Sequence, residues 1–128
     1  MGATRNVALN ELPMRGISVN PATTGSAAIT VIPSDSGILF VNLFLTATTY
    51  TLPAVADGKG KAFWFYNGQA STAIKVKALS AIMMGIDSAT GTVITSGATN
   101  ISDSCVVFSD GTNYYAIILD GTWTSGTS

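Results

Sequence analysis

Short apolar runs separated by turn residues fill the chain after residue 26. Each run is rich in β-branched or aromatic residues, which pack well on a pleated sheet, and the intervening turns contain Gly, Asp, Ser or Pro. The pattern predicts strands at 28–32, 38–45, 48–52, 61–67, 73–79, 93–96, 105–109 and 114–119. The clearest signal is the turn Asp110–Asn113 between two apolar runs, which predicts a β-hairpin. The one helical alternative, residues 78–84, is short and is followed by Gly85.

Many short strands with Gly-containing turns are typical of a sandwich, a jelly roll or a small barrel. We therefore expect an all-β, single-domain fold, with an antiparallel, jelly-roll-like β-sandwich over residues 27–128. Residues 1–26 lack the pattern, and Pro13, Gly16, Pro21 and Gly25 interrupt them too often for a helix of useful length. They are predicted to be an extended N-terminal arm. The arm is either a strap along a neighbouring subunit or a frayed terminus.

Two predicted strands are apolar on both faces. Because side chains alternate along a strand, Phe63 and Phe65 face one way in residues 61–67, and Trp64 and Tyr66 face the other. Residues 114–119 repeat this arrangement. A sandwich strand buries one face, so the second apolar face needs a cover, and another subunit is the expected one. The expected oligomer-interface residues are Phe63, Trp64, Phe65, Tyr66, Tyr114 and Tyr115.

The composition also favours association. Of 128 residues, 47% are hydrophobic and only 10% are charged, against about 25% charged in an average soluble domain. Such a chain is expected to cover apolar surface with other copies or with a partner. The net charge of −1, without a block of like charge, gives no sign of a nucleic-acid or basic membrane-binding surface. Four lysines lie between residues 59 and 77, either on solvated strand faces or against an acidic partner.

Residues for catalysis are scarce. The chain has no histidine, which excludes Ser-His-Asp and Cys-His arrangements and most zinc sites. Residues 58–61 lack the spacing of a phosphate-binding loop, and the acidic turns do not match a calcium-binding EF-hand. Cys105 lies in an apolar run and is expected to be a buried hydrophobe. We expect no enzyme activity, no cofactor and no metal. No apolar stretch resembles a signal peptide or could cross a bilayer, so synthesis in a cytoplasm, without secretion or membrane insertion, is expected.

Four segments in order carry a resemblance to a known class of proteins: Tyr50–Pro53, Gly60–Asn67, Ile74–Val76 and Val106–Ile117. Together they resemble the small β-rich structural proteins of tailed-phage virions, most of all capsid decoration (cement) proteins. The resemblance implies a homotrimer on the outer capsid surface, at local threefold positions, that binds the major capsid protein and stabilises the shell. It also implies a protein without enzyme activity.

The expected capsid contacts lie in the arm and in the lysine-bearing strand. The candidates are Arg5, Arg15, Lys75 and Lys77. The alternative within the same class of virion proteins is a tail-fibre or tail-tip domain that binds a receptor or glycan. In that case Trp64, Trp123 or the Tyr114–Tyr115 pair would contact a cell-surface sugar.

Overall fold

A computed structural model of the chain describes residues 14–84, 89–98 and 100–126. In these ranges it contains strands and one short 3-10 helical turn, Pro33–Asp35. The strands are β1 (Gly16–Asn20), β2 (Ala28–Thr30), β3 (Ile38–Asn42), β4 (Thr48–Thr51), β5 (Ala62–Asn67), β6 (Ile74–Met84), β7 (Ala89–Thr95), β8 (Ser104–Ser109), β9 (Tyr114–Asp120) and β10 (Thr124–Gly126). No helix in the described ranges is long and apolar enough to span a membrane. The predicted all-β class is confirmed, and the helical alternative at residues 78–84 is wrong because these residues belong to β6.

The strands form two mixed sheets of five strands, as expected for a sandwich. The first sheet has the order β1-β3-β5-β8-β9, and the second contains β2, β4, β6, β7 and β10. The long strand β6 connects them. Its residues 74–77 pair with β4, whereas residues 82–84 pair with β9. Side chains from both sheets form one apolar core.

Strand direction differs from the prediction in the N-terminal half of the fold. Strands β1, β3 and β5 are mutually parallel, and so are β2, β4 and β6. The first six strands therefore wind as three coils, each with one strand in either sheet. The two strands of the last coil then gain antiparallel neighbours, since β8 pairs with β5 and β7 pairs with β6. The predicted antiparallel, jelly-roll pairing was wrong here because alternation fixes which face is buried but not the direction of the neighbouring strand.

The structure also changes the boundary of the predicted arm. Strand β1 lies within residues 1–26, yet it pairs in register with β3 of the same chain, from Gly16 opposite Ile38 to Asn20 opposite Asn42. Residues 14–26 are thus part of the folded domain. The rest of the predicted arm, residues 1–13, lies outside the described residues.

Three aromatic side chains fill the centre of the core. Phe40, Tyr50 and Phe65 come from β3, β4 and β5, and their ring centroids are 5.3 to 5.5 Å apart. Rings at this distance contribute about 0.5 to 1.5 kcal/mol per pair beyond the burial of their area. Burial also raises the pKa of the Tyr50 hydroxyl, because the apolar core disfavours the phenolate. The cluster therefore links the two sheets at the second and third coils.

A buried row of asparagines marks the corner at which each coil leaves the first sheet. Asn20, Asn42 and Asn67 end β1, β3 and β5 and are aligned by the strand register. The Asn20 side-chain amide donates to Asn42 Oδ1 at 2.8 Å, and the Asn67 amide donates to the Thr72 carbonyl at 2.9 Å. At Asn20 and Asn67 the side-chain amide satisfies backbone groups that the turn leaves unpaired. We call these residues the asparagine ladder.

The predicted hairpin is confirmed between β8 and β9. Its turn is held by Asp110, whose Oδ1 accepts hydrogen bonds from the backbone N–H groups of Thr112 and Asn113, both at 2.8 Å. These bonds, first from Asn113 and then from Thr112, lower the pKa of Asp110 because they favour the charged carboxylate. The Tyr115 hydroxyl donates to Asp110 Oδ2 at 2.9 Å. The turn thereby fixes the side chain of Tyr115 on the outer side of the first sheet.

Candidate functional site

The outer side of the first sheet presents apolar side chains from all five strands. Strand register aligns one row across the sheet: Ile17, Leu39, Trp64, Val106 and Ile117. A second row contains Val19, Val41, Tyr66 and Ser104 and ends at Asp120 on β9, and a third contains Ala62, Phe108 and Tyr115. We call the side chains of these three rows the apolar face. Asp120, at the β9 end of the second row, is its one charged member.

The edges of the apolar face are exposed to solvent. Ile17 on β1 is 67% exposed and Ile117 on β9 is 51% exposed. The central side chains Leu39, Trp64 and Tyr66 are half-buried. Val106, which lies between Trp64 and Ile117, is buried, so the exposed apolar surface is greatest at the two edges. Exposed apolar patches mark interaction sites in proteins. The sequence missed the contribution of β1 because Ile17 falls inside the predicted arm, although the alternation Ile-Ser-Val at 17–19 is itself a strand signal.

The six predicted interface residues divide between this face and the core. Three of them, Trp64, Tyr66 and Tyr115, lie on the apolar face. The other three, Phe63, Phe65 and Tyr114, have no exposed surface. Their prediction as interface residues was wrong because they are the inward half of the alternation and pack between the sheets.

Tyr114, an inward-facing residue of β9, is fixed by a hydrogen bond and by close packing. Its hydroxyl donates to the Pro53 carbonyl at 2.6 Å. Burial, together with the charge of Asp57, raises its pKa to about 12. A β-carbon added at Gly58 would lie 2.6 Å from the same hydroxyl. Tyr114 is therefore a core residue that closes one end of the sandwich.

The outer side of the second sheet has a different character. Register aligns Ala28, Thr49, Lys75, Thr95 and Thr124 in one row, and Thr30, Thr51, Lys77, Val93 and Gly126 in the next. We call these two rows the lysine–threonine face. It carries hydroxyl and ammonium groups and no carboxylate. The predicted outward direction of Lys75 and Lys77 agrees with the inward burial of Ile74 and Val76.

Of the two arginines predicted to contact the capsid, only Arg15 lies within the described residues. Arg15 is exposed, but its guanidinium group donates to the carbonyls of Ser36 and Ser34 at 2.7 and 2.8 Å. It therefore anchors β1 to the turn before β3. Arg5 lies outside the described residues.

An open cavity of about 460 Å³ lies where the loop before β8 meets the end of β9. Its polar lining comes from Asn100, Asp103, Asp120 and the backbone of Gly121. Asp103 is only 2% exposed, and its Oδ2 accepts the Gly97 N–H at 2.8 Å. Asp120 also ends the second row of the apolar face, so the cavity borders that face at β9, whereas none of its lining residues belongs to the lysine–threonine face.

Nucleophilic and metal-binding groups are sparse in the part of the chain that the structure describes. No group of three His, Cys, Asp or Glu side chains there could hold a metal ion. Cys105 is fully buried, and burial raises the pKa of its thiol. A protonated, buried thiol is a poor nucleophile.

No protein-family model matches the chain, no curated protein is similar to it, and no solved structure matches its fold.

Proposed function

We propose that this protein is a structural component of a virion, a capsid decoration protein that binds the outer capsid as a trimer and bridges major capsid proteins. The observation that carries this proposal is the apolar face, whose first row crosses five strands from Ile17 to Ile117 without a charged side chain. The low charged fraction of the whole chain supports it. The resemblance of residues 48–119 to phage virion proteins supplies the class of assembly.

The apolar face favours association because its exposed edge residues lose contact with water when a second copy covers them. Covering Ile17, which is 67% exposed, contributes about 1 to 2 kcal/mol. Ile117 and Val19, each about half exposed, add similar amounts. Trp64 and Tyr66 lie between these edge residues. Ordering an aromatic side chain costs little conformational entropy, and such residues are common at interfaces. Three copies that share this face would form the trimer.

A decoration protein needs no turnover. Each bound trimer contacts several coat subunits and binds the assembled shell but not its separated subunits. Binding to one state alone stabilises that state by mass action. The shell would then resist disassembly in proportion to occupancy.

Sedimentation of the purified protein tests the role of the apolar face. We expect a trimer at micromolar concentration, and we expect the Ile17→Lys and Ile117→Lys variants to sediment as monomers. Both positions are exposed, so folding should be retained and is checked by circular dichroism. The matched control is Ile101→Lys, since Ile101 is 54% exposed but lies in the loop before β8. A monomeric wild type, or trimeric variants at both positions, would contradict the proposal.

Labelling of particles that contain this chain tests the location. Antibody bound over the whole head supports capsid decoration. Antibody confined to the tail end would contradict it and support a tail-tip protein.

The cavity favours a second candidate function, a tail-fibre or tail-tip domain that binds a receptor or glycan. Carboxylate and amide groups such as those of Asp103, Asp120 and Asn100 suit the hydroxyls of a sugar. Two of the aromatic residues first considered for sugar contact are poorly placed, since Tyr114 is fully buried and Trp123 is 6% exposed. Glycan-array binding that is lost in Asp120→Ala would support this candidate, and the absence of binding would argue against it.

A further inference from the structure

We propose that the lysine–threonine face is the surface that meets the partner, and that the partner presents an acidic protein surface. The inference rests on the proposed function, because it takes this partner to be the coat protein. It also specifies the orientation of the bound protein. Copies join through the apolar face, and the shell contacts the opposite side.

The spacing of polar groups on this face is regular. Lys75 and Lys77 are two residues apart on β6, so their side chains leave the sheet about 7 Å apart. Thr49 and Thr51 lie directly opposite them on β4, and Thr95 lies opposite Lys75 on β7. Neighbouring strands are about 4.8 Å apart. Val93 lies opposite Lys77 on β7. The result is an array of two ammonium groups flanked by three hydroxyls and one apolar side chain.

Charge complementarity identifies the partner as acidic. The lysine–threonine face has no carboxylate, and no ion pair of either lysine is found within the described residues. The chain as a whole carries a net charge of −1, so attraction to a polyanion has to come from a local patch rather than from overall charge. Complementary charge of this kind chiefly sets orientation and association rate.

The same array argues against a nucleic-acid partner. A nucleic-acid surface needs a broader basic stripe, since affinity for nucleic acid comes from many phosphate contacts. Three of the four cross-strand neighbours of Lys75 and Lys77 are threonines, and the fourth is Val93. Threonine hydroxyls can hydrogen-bond to carboxylates and backbone carbonyls of a protein. Leu79, which follows Lys77 on the same side of β6, is 79% exposed, so lipid vesicles are included in the test below.

The two faces lie on opposite outer sides of the sandwich. The apolar face belongs to the first sheet, and the lysine–threonine face belongs to the second. Occupation of one therefore leaves the other accessible. This separation permits a trimer to form and to dock at the same time.

Binding of the full-length protein to immobilised poly-L-glutamate tests the inference. We expect binding at low salt that weakens at physiological ionic strength, and a loss of about tenfold in the double variant Lys75→Gln/Lys77→Gln. The matched control is Lys59→Gln/Lys61→Gln, which removes two lysines next to β5 and not on this face. The control should retain affinity within about twofold. Glutamine keeps a long polar side chain, and circular dichroism checks the fold of each variant.

Other results would overturn the inference. Absence of binding to poly-L-glutamate, or equal losses in the two double variants, would show that the face is not an acidic-protein site. Equal or tighter binding of duplex DNA or of phosphatidylglycerol vesicles, with the same dependence on Lys75 and Lys77, would assign the face to another partner. Sedimentation keeps the two proposals separate, since failure of the trimer contradicts the proposed function and leaves the charge assay unaffected.

Discussion

Replacing Asn67 and Asn42 by alanine, one at a time, tests whether the asparagine ladder holds the coils together. Both side chains are fully buried and both end a strand of the first sheet. Their hydrogen bonding differs. Asn67 donates to the Thr72 carbonyl at 2.9 Å and accepts the Gln69 N–H at 3.1 Å. Its loss would leave two backbone groups of the coil corner without partners.

The expected cost of Asn67→Ala follows from these bonds. Each lost hydrogen bond costs about 1 kcal/mol, and the space left by the amide costs about 1 kcal/mol more. We therefore expect Asn67→Ala to lower the free energy of unfolding by about 3 kcal/mol. This is a large share of the stability of a typical domain, which is about 5 to 15 kcal/mol.

Asn42→Ala should cost much less. Asn42 Oδ1 accepts the Asn20 amide, but that amide also donates to the Ser26 carbonyl at 2.8 Å and keeps this partner. Asn42 Nδ2 is buried without a hydrogen-bond partner among the described residues. Its removal relieves a penalty of about 1 to 3 kcal/mol, which offsets the lost bond and packing. The net cost should be about 1 kcal/mol or less.

Urea unfolding followed by circular dichroism measures the difference. We expect Asn67→Ala to be less stable than Asn42→Ala by about 2 kcal/mol, or by about 7 °C in melting temperature for a chain of this length. All proteins are compared at one concentration, because association adds to apparent stability. Equal losses in the two variants, or a larger loss in Asn42→Ala, would refute this account of the ladder.

Three further predictions concern single sites. In thermal melts, Gly58→Ala should destabilise the fold by about 2 kcal/mol, because the added β-carbon would meet the fixed hydroxyl of Tyr114. The control Gly126→Ala has open space around the added carbon and should be neutral within about 0.5 kcal/mol. Asp110 should contribute stability above the ordinary carboxyl pKa and lose it as the pH falls through its lowered folded pKa. The Asp110→Asn variant should therefore lose less stability on acidification than the wild type, and equal acid titrations of stability would contradict this. Cys105 should react with iodoacetamide only after unfolding, since it is fully buried and burial raises its thiol pKa; rapid labelling of the native protein would show otherwise.

The sequence by itself determined where most strands lie and which of their faces is apolar. The alternation in residues 61–67 placed Phe63 and Phe65 on one side and Trp64 and Tyr66 on the other, and the structure keeps this division. The hairpin at Asp110 was also predicted from sequence. These features are local, because alternation and turn chemistry act over a few neighbouring residues.

Only the tertiary structure decided which apolar side is core and which is surface. Both halves of β5 are apolar, so the pattern could not assign Phe65 to the interior and Trp64 to the apolar face. The asparagine ladder offered a signal that was missed, since Asn20, Asn42 and Asn67 each follow Val or Tyr at the end of an apolar strand. Such a recurrence indicates repeated coils.

The parallel pairing of the first six strands was likewise a tertiary outcome. The rows that form the two outer faces join residues far apart in sequence, such as Ile17 with Leu39 and Thr49 with Lys75. Their register depends on many weak contacts across the whole core. A local sequence pattern covers only a few of these contacts and cannot predict the register. For this reason the sequence predicted apolar and basic strands, and the fold alone gathered them into two opposite faces.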